Sequence, residues 1–261
     1  MTFAVEQVDP AAQSPRALRA AVDELRAVPL LVALDFDGTM SEIVAHPAMA
    51  KPVPGALAVV QGLTASCGVT VALVSGRPVA DLRQVSGVGA GVVLIGSHGA
   101  QWEGRQQLAI SAEQTAALKR TREAVRALVA ATPGAMLEPK PAGFAVHVRH
   151  ASPRSGQFVV SQVAELADAA DLHTLTGKSV IDVGVHPLDK GAAIAVLRAE
   201  LGDPTLLFAG DDVTDETVMS VARGTDLTIR VGAGETSARF RVPDPQALVA
   251  VLTRLAEVRA Q

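Results

Sequence analysis

Two aspartates stand one residue apart in LVALDFDGTM, residues 31–40, directly after an apolar run. A carboxylate can take a phosphoryl group as a nucleophile, giving an aspartyl-phosphate. A second carboxylate beside it can protonate the leaving oxygen and then activate water. Asp35 and Asp37 have the types and spacing for that division of labour. On an extended strand both would point one way while Phe36 points into the core, so that one metal or substrate meets both. Three more polar groups follow apolar runs in the same manner: Ser75-Gly76-Arg77, Gly96-Ser97-His98-Gly99 and Gly210-Asp211-Asp212, with Asp215 close behind. Crowded carboxylates repel unless a cation neutralises them, and oxygen donors without a Cys or His cluster select Mg²⁺. Phosphoryl transfer also requires positive charge and donors around the equatorial oxygens. Ser75 offers a hydroxyl and Lys190 a charge. Lys190 opens DKGAAIAVLRAEL, at a helix start where the dipole disfavours a cation, so it requires an anion such as phosphate nearby. Taken singly, each group reads equally well as a turn or a helix cap; their order along the chain is what favours chemistry.

These groups act together only if a fold gathers them. The runs LLVAL (30–34), VTVALV (69–74), VVLI (92–95) and TLLFA (205–209) are apolar without alternation, the pattern of strands covered on both faces of a parallel sheet. Helical periods occupy 55–66, 78–86, 189–201, 214–222 and 244–259, with Pro54, Pro78 and Pro243 near three of the starts. Strand alternating with helix predicts a doubly wound α/β domain, in which ligands sit beyond the carboxyl ends of the strands. Residues 107–186 break the rhythm. A strand, a helix at 111–131, strands around MLEPK and GFAVHVRH, a helix near 155–170 and a hairpin turning at Gly177-Lys178 predict an inserted α+β module. In FAVHVRH, Ala145, His147 and Arg149 alternate with Phe144, Val146 and Val148, so this sheet is expected to be antiparallel and half exposed.

Composition narrows the partners. Hydrophobic residues make up 49% and charged residues 19% of the 261, as in a folded protein with a real core. Aromatics at 3%, with no Tyr, and a net charge of -4 argue against nucleic acid. No apolar run approaches the roughly 20 residues that span a bilayer. The single cysteine, Cys67, and a start lacking the basic and apolar regions of a signal peptide predict a cytosolic protein, expected to be a monomer.

In combination, DFDGT, SGR, DKG and GDDVTDE resemble the haloacid dehalogenase superfamily of phosphohydrolases, from about residue 28 to 258. The resemblance implies a Rossmann-like parallel-sheet core over 1–106 and 187–261 and a cap of the second-position α+β kind over 107–186. It makes Asp35 the nucleophile and Asp37 the acid/base. Ser75, Gly76, Thr39 and Lys190 would hold the phosphate, and Asp211 would bind Mg²⁺ with Asp35 and the Asp37 carbonyl. Asp212 and Asp215 would support the metal shell, and Arg77 would brace its loop on the substrate side.

The module is similar to that of the trehalose-6-phosphate phosphatase family. GSHGAQWEG, LEPK followed by GFAVHVR, and SVIDVGVHPLDKG each resemble one of its motifs. By that resemblance Glu138, Lys140 and Asp182 hold sugar hydroxyls and His98 faces the substrate. Asp182 and Gly184 depart from the family's usual Glu and Arg, which keeps another disaccharide or pseudo-disaccharide phosphate open. A sugar phosphomutase and a non-catalytic sugar-phosphate sensor are the alternatives. Hinges are expected near 104–108 and 184–188.

Overall fold

A computed structural model describes residues 14–44, 46–105, 110–177 and 179–261. In chain order these form α1 (Pro15–Glu24), β1 (Leu30–Leu34), α2 (Ala56–Thr64), β2 (Val69–Val74), α3 (Val79–Ser86), β3 (Val92–Gly96), β4 (Gln101–Trp102), α4 (Ala112–Ala130), β5 (Met136–Lys140), β6 (Gly143–His147), α5 (Pro153–Asp168), β7 (His173–Gly177), β8 (Val180–Gly184), α6 (Lys190–Glu200), β9 (Thr205–Gly210), α7 (Glu216–Met219), β10 (Leu227–Val231), β11 (Phe240–Val242) and α8 (Pro245–Arg259).

The uninterrupted apolar strands are explained by two buried faces. In β1, Leu30, Val32 and Leu34 join one core cluster with α1, α2 and α8, while Leu31 and Ala33 join a second with α6 and α7. The strands order as β11-β10-β9-β1-β2-β3-β4, and every pairing is parallel except β3 with β4. β1 therefore lies between β9 and β2, which sets the DFDGT turn beside GDD and SGR.

The inserted segment forms a second sheet, β5-β6-β8-β7, antiparallel throughout. One face, with Phe144, Val146, Ile181 and Val183, packs on α4 and α5 around a separate core. The other face carries Glu138, Ala145 and Asp182 side by side in one row. That face was expected to be half exposed, yet Ala145 and Asp182 are buried because it closes over the carboxyl ends of the parallel strands.

Several expectations need correction or fall on residues outside those described. The helix expected at 214–222 is a 3₁₀ turn, Val213–Asp215, followed by the single turn of α7, because the Asp215 side chain folds back onto the amides of Asp211 and Asp212. β10, β11 and α1 were not foreseen. The strand near 107 and part of the 104–108 hinge fall on 106–109, and Lys178 of the hairpin turn also lies outside the described residues. Gly184, at the start of the expected 184–188 hinge, is the last residue of β8 and pairs with Gly143 and His173 there.

Candidate active site

β1 ends at Leu34, so Asp35 to Thr39 form a turn in which Thr39, Met40 and Ser41 donate their amides to the Phe36 carbonyl. Gly38 takes φ +86°, and a Cβ there would overlap the Asp211 carboxylate, so only glycine serves. Asp35 and Asp37 both border the cleft beyond the strand ends, but they meet different cations.

Asp35 meets Lys190. The ammonium is 2% exposed and donates to Asp35 Oδ1 and Asp215 Oδ1, both at 2.7 Å. Burial alone would drive the Lys190 proton off, but Asp215 and Asp35 overcome it and hold the pKa above the ordinary lysine value. Burial pushes the Asp35 carboxyl well up, opposed by Lys190 and reinforced by Asp215 and Asp211. Asp211 is likewise raised, to about 7, by burial and then by Asp215.

Asp37 meets Arg77. The guanidinium grips both carboxylate oxygens at 2.6 Å, donates to Asp81 at 2.6 Å and to the Pro47 carbonyl at 2.9 Å. A fork matched to a carboxylate in this way fixes direction as well as charge. Arg77 is thus committed to the Asp37 turn, to Pro47 and to α3, and its amide donates to Ser75 Oγ at 3.2 Å.

A divalent cation fits the residues present. Among the described residues, Asp35, Asp211 and Asp215 offer oxygens all within 4.8 Å of one another. Asp211 Oδ1 is buried without a partner, an arrangement that is costly unless a cation or proton meets it. Asp215 is wholly buried, with its second oxygen accepting from the amides of Asp211 and Asp212 at 3.0 Å each. Asp212 stands apart from that group and accepts from the Val213 amide. Thr39 Oγ1 is buried and unpartnered beside the same turn.

From the second sheet, Lys140 Nζ donates to the Gly76 carbonyl at 2.8 Å and pairs with Asp182. The other Asp182 oxygen lies 3.3 Å from His98 Nε2. Burial acts to raise the Asp182 carboxyl, but His98 and Lys140 together bring it down to about 2. Burial holds the His98 pKa below its usual value. Glu138 lies 2.7 Å from His147 Nε2, and that hydrogen bond lowers its carboxyl pKa against the effect of burial. The place of His147 on the Glu138 face was legible in the alternation of FAVHVRH, though its partner was not.

All these groups except Asp215 and Thr39 border one cleft of about 1100 Å³ between the two sheets. Arg230 also borders it. This residue was missed by sequence reasoning, and it donates to the Asp212 carbonyl at 3.0 Å and to Ala233 O at 3.2 Å.

A family model described as trehalose-phosphatase matches residues 33–246, which include every group above. The chain belongs to the trehalose-phosphatase family. Its fold is that of the haloacid dehalogenase superfamily, with a parallel-sheet core. The trehalose-phosphate phosphatase of Mycobacterium ulcerans is 32% identical over 242 residues, covering 86% of this chain and 61% of the relative. A Mycobacterium tuberculosis protein named an uncharacterized glycosyl hydrolase is 35% identical over 244 residues, 86% of this chain and 18% of its own length. The chain thus spans less than two thirds of both relatives. Among solved structures, the C-terminal domain of Candida albicans trehalose-6-phosphate phosphatase superposes with a TM-score of 0.78, covering 93% and 96% of the two chains at 24% identity. Within the span matched by the trehalose-phosphatase family, this chain carries Asp182 and Gly184 in the second sheet.

Proposed function

We propose that this chain hydrolyses trehalose 6-phosphate to trehalose and phosphate through an aspartyl-phosphate on Asp35. The observation that carries the reading is the pairing of a buried carboxylate cluster with a separately clamped acid. Asp35 lies between Lys190 and the Asp211/Asp215 pair, and Arg77 holds Asp37 by both oxygens. In this reading Asp35 attacks phosphorus and the sugar oxygen leaves with a proton from Asp37. Asp37 then takes a proton from the water that cleaves the acyl phosphate. Lys190, Ser75, Thr39 and the Gly76 backbone neutralise and orient the phosphoryl oxygens. Mg²⁺ is the proposed cation, held by Asp35, the Asp37 carbonyl and Asp211 with Asp212 and Asp215 behind; it would offset the charge shared by nucleophile and phosphate. Arg77 acts by holding Asp37.

Residues 1–106 and 187–261 are proposed as the catalytic core and 107–186 as the cap. In the cap, Glu138 and Lys140 would accept and donate hydrogen bonds to sugar hydroxyls, with Asp182 and, from the core, His98 beside them. Asp182 and Gly184 favour a second reading, another disaccharide phosphate as the preferred substrate. The net charge of -4 supports a sugar-phosphate enzyme without nucleic acid as a partner. No helix among the described residues is long and apolar enough to cross a membrane. A monomer in the cytosol is part of the same reading.

A panel of sugar phosphates assayed for free phosphate with and without Mg²⁺ tests the reading. Trehalose 6-phosphate should be turned over fastest, only with the cation, and phosphate should match released sugar. Transfer of phosphate to a second sugar would indicate a mutase, and turnover no higher than that of Asp35→Asn on every sugar phosphate would overturn the enzymatic reading.

A further inference from the structure

The second sheet touches the core through a small set of charged groups, and Asp182 stands at their centre. Its two oxygens are divided: Oδ1 takes Lys140 and Oδ2 lies 3.3 Å from His98 Nε2. Lys140 in turn donates to the carbonyl of Gly76, within the loop that carries Ser75 and Arg77. His98 belongs to the turn after β3, where Ser97 and His98 both adopt left-handed backbone angles, φ 49° and 53°. Two consecutive non-glycine residues in that region are strained and persist only where surrounding contacts hold them. The strain places the imidazole against Gly76, where a Cβ would come within 2.5 Å of Nε2. Asp182, 6% exposed, has little surface left for a ligand, unlike the half-buried Glu138 in the same row.

We propose that Asp182 is a closure latch, holding the cap on the core directly through His98 and indirectly by steadying Lys140 on the Gly76 carbonyl, before any substrate binds. As an aspartate, Asp182 reaches both partners from β8. Proton placement agrees with this. The Asp182 carboxyl is held down to about 2 and burial holds His98 below its usual value, which favours a neutral imidazole whose Nε2 proton is donated to the carboxylate. Nδ1, buried and unpartnered, is left as the acceptor beside a cavity of about 20 Å³ also bordered by Ser97 and His186. Discrimination among sugars then falls mainly on the half-buried Glu138 and its partner His147, which rests on the proposed phosphatase reading; the latch itself requires no substrate.

The experiment measures cap position in the full chain without ligand. Spin labels on the native exposed Cys67 and on a second cysteine introduced by Ser161→Cys, on the exposed side of α5, report the core-to-cap distance by pulsed electron resonance. The protein with Asp182 and His98 intact should give one dominant short distance. Asp182→Asn should shift the distribution to longer distances. His98→Asn, chosen because Asn tolerates the left-handed backbone, should shift it equally, and the double variant should open no further than either single one. An unchanged distance in Asp182→Asn, with a raised KM confined to sugar phosphates, would make Asp182 a sugar ligand only and overturn the latch. Opening in Asp182→Asn but not in His98→Asn would overturn it too. If no sugar phosphate is turned over while both single variants still open, the latch stands and the phosphatase reading fails.

Discussion

Replacing Lys190 with methionine is the sharpest physical test of the core site. The ammonium holds two carboxylates at 2.7 Å, and the side chains of Asp35 and Asp215 are only 6% and 0% exposed. Methionine fills similar volume, so the change removes charge with little cavity. Breaking a buried ion pair by deleting one partner costs about 3–5 kcal/mol, because the remaining charge is left uncompensated. For a chain of this size each kcal/mol moves the melting temperature by about 2–4 °C, so Lys190→Met should melt on the order of 10 °C lower. Circular dichroism melts at neutral pH without added metal measure this. Two controls separate electrostatics from packing. Adding Asp215→Asn should recover part of the loss, since the amide oxygen can still accept from the Asp211 and Asp212 amides while one negative charge is gone. Mg²⁺ should raise the melting temperature of Lys190→Met more than that of the wild type, because a cation then replaces the missing one. If Lys190→Met melts with the wild type and gains nothing extra from Mg²⁺, Lys190 is not the counter-charge of a buried carboxylate cluster and the site has been misread.

Gly38→Ala should weaken Mg²⁺ binding in a calorimetric titration, because the left-handed angle strains any side chain and the new Cβ displaces the Asp211 carboxylate; unaltered affinity would refute the assigned packing. The Asp182 carboxyl, moved from an ordinary 3.8 to about 2, is worth about 2 kcal/mol of stability. Its pKa is depressed in the folded protein, so that contribution is complete above about pH 4 and is lost as the pH falls towards 2. Urea unfolding should therefore show the wild-type advantage over Asp182→Asn shrinking across that window. Glu138→Ala should raise KM for the preferred sugar phosphate well beyond any change for a small aryl phosphate, and equal effects on both would remove Glu138 from sugar recognition.

Much of the parallel sheet was legible because burial on both faces removes alternation. LLVAL and VTVALV carry no polar residue that needs explaining except Thr70, in the half-buried start of β2. β10 escaped for the converse reason. LTIRV alternates like a surface strand, yet all five residues are buried. Thr228 accepts the Arg239 amide at 2.9 Å, and Arg230 reaches the Asp212 and Ala233 carbonyls. Those partners lie on other loops, so no local periodicity announces them. The helix expected after GDD was shortened by a tertiary demand of the same kind, the return of Asp215 to the amides beneath the cleft.

The site shows where type and spacing stop informing. Asp35 and Asp37 are legible as a pair, but their different partners are not: Arg77 lies 40 residues beyond Asp37, and Lys190 lies 155 beyond Asp35. Two carboxylates so close can take opposite parts only if their surroundings differ. The structure supplies the difference as a buried ammonium for one and an open-sided guanidinium fork for the other, with side-chain exposures of 6% and 38%. The same logic governs the cap. A missing methylene at Asp182 looks in sequence like a loss of reach towards a sugar. In the fold the Asp182 carboxylate is already taken by His98, from the core turn, and by Lys140, from its own sheet, so the shorter side chain still finds partners. A substitution at a binding face therefore has to be weighed against every donor that the opposing element brings within reach, and here that element is the strained turn of the core.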